Sequence, residues 1–98
     1  MEITIGQKLK IVRNYYNLGV EEFSKQLGFS ARAYTSYEYD ERKPNYEFYF
    51  NIRKVFDVNL NWLIADDGDM LLLPAYEKIE DELTQKVEDI LRKYGLIK

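Results

Sequence analysis

The stretch from Val20 to Tyr39 leaves this chain little freedom, because two short amphipathic segments meet there at a single glycine. Val20, Phe23 and Leu27 recur at helical spacing, and Glu21 and Glu22 occupy a first turn, where the helix dipole favours anions. Gly28 breaks that segment, and Ser30 is a good N-cap for a second helix running to about Tyr39. Two helices joined so tightly must cross at a steep angle with their backbones close together. Ser24 is small where the first would cross the second, and Tyr34 and Tyr37, three residues apart, turn inward together. What faces outward or sideways on the second helix is then Ala31, Arg32, Thr35 and Ser36, a small, polar and basic set.

The flanks read as helices too. Thr4 followed by Gln7 is a capping-box pattern, and Ile5, Leu9, Val12 and Tyr16 predict a helix over about 5–16 that exits at Asn17, a residue tolerant of left-handed backbone. Beyond Pro44, Asn45 is placed to cap a fourth helix with apolar positions Phe48, Tyr49, Ile52, Val55 and Phe56. Asn59 can cap a fifth carrying Leu60, Trp62, Leu63 and Ile64, after which Asp66, Asp67, Gly68 and Asp69 form a turn. That acidic turn lacks the length and terminal Glu of a calcium loop and is read as solvated. An apolar run from Met70 to Leu73 ends at Pro74, and Tyr76, Ile79, Leu83, Val87, Ile90 and Tyr94 then repeat every 3.6 residues up to a C-terminal cap at Gly95. Such a stripe needs a partner surface, either a second chain or the rest of its own.

The chain has 98 residues, about one compact domain, and no apolar run long enough to span a membrane. The N-terminus has no secretory signal and the sequence has no cysteine, from which a cytoplasmic setting is expected. No histidine or cysteine is present, and no serine sits in a nucleophile setting, so an enzyme is not expected, nor a metal or other cofactor. The nine tyrosines invite thoughts of strand cleavage or base stacking, yet Tyr15, Tyr16, Tyr34, Tyr37 and Tyr49 lie on or beside apolar stripes and are read as packing residues. A net charge of -3 runs against the basic footprint of nucleic-acid binding. The acidity is uneven, however: residues 1–65 hold nine Lys/Arg against eight Asp/Glu, and residues 66–98 hold five against nine. The first part can meet an anion that the second would repel.

Two short helices at a steep angle, a glycine turn and an exposed polar face on the second helix are the parts of a helix-turn-helix. The sequence resembles the Cro/repressor (XRE) family of such proteins, phage repressors included, from about Ile3 to Met70 without a gap. The shared residues are Ile5-Gly6, Leu9 and Arg13, then Leu18, Glu21-Glu22, Leu27-Gly28 and Ser30, then Tyr37-Glu38, Arg42-Lys43-Pro44 and Asn61-Trp62-Leu63. The resemblance implies an all-α, five-helix DNA-binding domain over 1–70, and the sequence adds a C-terminal amphipathic helical extension over 71–98, expected to pair two chains as a homodimer. It implies that Ala31, Arg32 and Ser36 read bases, that Ser30, Thr35, Arg42 and Lys43 contact phosphates, and that Arg13 and Glu38 form a structural ion pair. Arg32 is the strongest reader, since a guanidinium can bond guanine O6 and N7 together.

Three departures stand out. Val20 occupies the place of a Gln that usually braces a phosphate contact, and Ser24 and Tyr34 replace an Ala and a branched aliphatic where the two helices cross. Tyr39-Asp40-Glu41 stands where family members often carry Gly, which sets two carboxylates beside the expected phosphate track. The expected function is a sequence-specific regulator of transcription, a repressor, acting on double-stranded DNA. The alternative is an antitoxin or adaptor that keeps the fold and binds a protein partner through its acidic C-terminal helix.

Overall fold

The computed structural model describes residues 3–72 and 80–98. Six helices follow in order: α1 (Ile5–Tyr15), α2 (Val20–Gln26), α3 (Ala31–Glu38), α4 (Tyr46–Phe56), α5 (Leu60–Ala65) and α6 (Glu80–Lys93). Apart from an isolated antiparallel bridge between Val58 and Leu71, the described residues are helical or irregular, so the fold class is all-α. No helix among them is long and apolar enough to cross a membrane. Leu73, Pro74, Tyr76 and Ile79, which the sequence assigns to the apolar run and the last helix, lie outside the described residues.

The chain divides into two compact units, 1–44 and 45–98. In the first, α3 packs on both α1 and α2. Its buried apolar residues are Leu9, Val12, Phe23, Leu27, Tyr34 and Tyr37, and the Phe23 and Tyr34 rings meet edge to face with centroids 5.2 Å apart. Gly6 has no room for a side chain, since a Cβ there would lie 2.2 Å from the Glu38 carbonyl oxygen. This close approach seats the start of α1 on the end of α3.

In the second unit α6 packs on α4 and α5. This is the fold-back arrangement for the C-terminal stripe: Leu83, Val87 and Leu91 are buried within the chain, and the Tyr94 hydroxyl donates to Asn61 Oδ1 at 2.8 Å. Ile90, assigned to the stripe from the sequence, is only half-buried, and Leu91 is the residue fully enclosed. Val55 likewise differs from expectation, being 44% exposed on α4 while Phe48, Tyr49, Ile52 and Phe56 are buried. Leu71 bridges to Val58, and Leu72 N–H donates to Asp57 O at 2.9 Å, so these two members of the apolar run pair with their own chain.

Candidate nucleic-acid interface

Every end of α3 is set by an identifiable bond. The turn before it is a Schellman motif: Gly28 takes φ of +80°, its N–H donates to Lys25 O at 3.0 Å, and Phe29 N–H donates to Ser24 O at 2.9 Å. Ser30 then caps α3, its Oγ accepting from Ala33 N–H at 3.1 Å. The far end repeats the motif with Asp40 in place of glycine, at φ of +60°. Asp40 N–H donates to Tyr37 O at 3.1 Å, and the N–H groups of Glu41 and Arg42 both reach Ser36 O, at 2.8 and 3.2 Å. The loop bearing Arg42 and Lys43 is thereby fixed to the last turn of α3.

The inner side of α3 is locked to α1 by charge. Arg13 Nε and Nη2 bond the two Glu38 carboxylate oxygens at 3.1 Å each, and Nη1 donates to Leu18 O at 3.1 Å. Burial works to raise the Glu38 pKa, but hydrogen bonds from Arg13 and Tyr34 and the Arg13 charge outweigh it and hold the carboxyl below its ordinary range. The hydrogen-bonded carboxylate raises the Arg13 pKa in turn, against the opposing effect of burial. Burial, with Glu38 alongside, also pushes the Tyr34 phenol well up, so the cluster at neutral pH is a guanidinium, a carboxylate and a neutral phenol.

On the other side, Ser30, Arg32, Ala33, Ser36, Glu41 and Arg42 line one depression of about 360 Å³. Arg32, Arg42 and Lys43 are exposed, and among the described residues no ion pair holds any of them. Arg42 is steered by Tyr37, whose ring centre lies 5.8 Å from the guanidinium carbon. Ala31 and Ser36 are half-buried, and Lys43 lies beyond the residues that line the depression. Thr35 Oγ1 donates to Ala31 O and Ser36 Oγ to Ala33 O, both at 2.6 Å. To donate to a phosphate, Thr35 must therefore turn its hydroxyl away from its own helix.

Asp40 corrects one expectation from the sequence. Its carboxylate accepts from Thr4 Oγ1 at 2.5 Å and from Gly6 N–H at 2.9 Å, which ties it to the start of α1. The left-handed backbone at Asp40 parts the two neighbouring acids, so Glu41 alone lines the depression. Sequence reasoning did not distinguish them. The cue it held was the glycine usual at this place in the family, which marks where the backbone must turn left-handed.

Residues 6–68 match the family model described as a helix-turn-helix domain. The chain belongs to that family. The matched span takes in α1 from Gly6 onward and runs through α5, and so includes every residue of the α3 depression. Among curated proteins, the helix-turn-helix chain is 30% identical over 82 residues to an uncharacterized HTH-type transcriptional regulator, YqaE, of Bacillus subtilis (strain 168). The alignment covers 84% of this chain and 65% of that relative's length. No solved structure matches.

Proposed function

We propose that this helix-turn-helix protein binds double-stranded DNA sequence-specifically and regulates transcription, with α3 entering the major groove. The observation that carries the reading is the exposed Arg32 on the outer side of α3, beside Ser36 and Arg42 in one depression whose backbone is fixed at both ends. A rigid frame around an exposed guanidinium suits base readout, which needs donors placed against a base edge. Arg32, Ala31 and Ser36 are the base-facing residues in this reading, and Ser30, Thr35, Arg42 and Lys43 serve the phosphates. The resemblance to phage repressors extends it to repression by two chains on a two-fold operator, with half-sites about 34–36 Å apart. Leu83, Val87 and Leu91 are buried against their own chain, so pairing would draw on a different surface.

Selection of binding sequences from random duplex, followed by gel shift at rising salt, tests the proposal. Binding should fall steeply with salt, and Arg32→Ala should cost about 1–3 kcal/mol, concentrated at one base position. Failure to bind any duplex at low salt, including the DNA flanking its own gene, would overturn it in favour of the protein-binding alternative.

A further inference from the structure

The lining of the α3 depression is chemically mixed. Two guanidiniums, Arg32 and Arg42, can only donate, and the Glu41 carboxylate can only accept. Ser30 Oγ accepts from Ala33 N–H, which leaves its hydroxyl proton to donate outward, whereas the Ser36 hydroxyl donates to Ala33 O and presents lone pairs. Ser30 and Arg42 can still meet phosphates, which offer acceptors alone, but Glu41 would repel a phosphate and needs a donor instead. A G·C pair matches the mixture, since its major-groove edge shows two acceptors, guanine N7 and O6, next to one donor, the cytosine N4 amino group. No other pair places two adjacent acceptors on one base beside a donor on the other.

We propose that Glu41 is a specificity-determining residue that, together with Arg32, selects a G·C pair: Arg32 donates to guanine and the Glu41 carboxylate accepts from cytosine N4. Its position is fixed by the 2.8 Å bond from its own N–H to Ser36 O, within a loop that Asp40 anchors to α1. Arg32 near the start of α3 and Glu41 just beyond its end line the same depression, so in the proposed complex both address one base pair. The inference rests on the DNA-binding reading above.

The test compares the wild-type protein, Glu41→Ala and Arg32→Ala on the selected duplex, on its four base-pair variants at the Arg32-dependent position, and on random-sequence duplex. The same set is repeated with N4-methylcytosine at that position, which blocks the exposed amino hydrogen. The wild type should prefer G·C there and lose about tenfold in affinity on N4-methylation, while Glu41→Ala, which has no side-chain acceptor, should be indifferent to the methyl group and bind random duplex more tightly. An Arg32-dependent position that is not G·C would overturn the proposal. So would a Glu41→Ala protein that gains affinity for every duplex alike and keeps the methylation penalty, because Glu41 would then be only a repelling charge. Absence of wild-type binding to any duplex is a separate result, and it removes the DNA-binding reading itself.

Discussion

In residues 1–44 polar side chains add directional ties between helices to an apolar core, whereas in residues 45–98 α6 is held mainly by an apolar stripe. The first unit joins α1 to α3 through the Arg13–Glu38 pair and through Asp40, whose carboxylate reaches Thr4 and Gly6. The second closes α6 over α4 and α5 with Leu83, Val87 and Leu91. Directional bonds fix the angle and register of α3 without covering its outer side, which leaves Arg32 and its neighbours open. An apolar stripe has no such directionality, and once buried it offers nothing further to a partner. The residues that pack the chain and the exposed set on α3 are thus different residues.

The sharpest way to break this contrast is Glu38→Ala. It leaves the Arg13 guanidinium, 14% exposed, facing a space without a counter-charge, and should cost about 3 kcal/mol or more in urea unfolding followed by circular dichroism. The pH dependence carries a sign. Because the folded-state pKa of Glu38 is depressed, its contribution is present at neutral pH and disappears as pH falls through that folded value. The gap between wild type and variant should therefore close in acid. A gap that stays constant down to the foot of the carboxylate range would show that the pair is not what holds α1 on α3.

Leu91→Ala probes the other route. Truncating a fully buried leucine should lower stability by about 2.5 kcal/mol, and Ile90→Ala, at a half-buried position, should cost clearly less. Sedimentation mass should be the same for both variants and the wild type. If Leu91→Ala instead lowered the mass and left unfolding unchanged, the stripe would be acting between chains.

The helix ends were legible because capping is local. Thr4, Asn17, Ser30, Asn45, Asn59 and Gly95 all stand where spacing placed them, each acting on backbone within a few residues. Apart from the Arg13–Glu38 pair, which the family resemblance implies, contacts between distant residues were not legible. Nothing in the order of residues says that Asp40 reaches back 36 positions to Thr4, or that Asn59 Nδ2 gathers the Asp69 carbonyl at 2.8 Å while its Oδ1 accepts from Asn61 N–H in the first turn of α5. A 3.6-residue stripe fits Ile90 about as well as Leu91, and the choice is made by α4 and α5. At the candidate site the same limit applies: Arg32, Ser36 and Arg42 share a depression, yet only the left-handed turn separates the role of Asp40 from that of Glu41.

The smallest expected effect is at Asp40, and two substitutions divide its contributions. Asparagine tolerates φ of +60° and keeps one oxygen for the Gly6 N–H, and its amide can donate to the Thr4 hydroxyl, so Asp40→Asn loses only the charge at the start of α1. That loss should be about 0.5 kcal/mol and should shrink as salt is added. Alanine removes the acceptors as well and is strained in left-handed backbone, so Asp40→Ala should cost about 1–2 kcal/mol at any salt. It should also loosen the loop that carries Glu41, Arg42 and Lys43, seen as faster amide exchange at Glu41 and Arg42 than in Asp40→Asn. Equal exchange in the two variants would mean that the loop is held by the Ser36 carbonyl alone, and that the polar tie between α1 and α3 stops at Arg13 and Glu38.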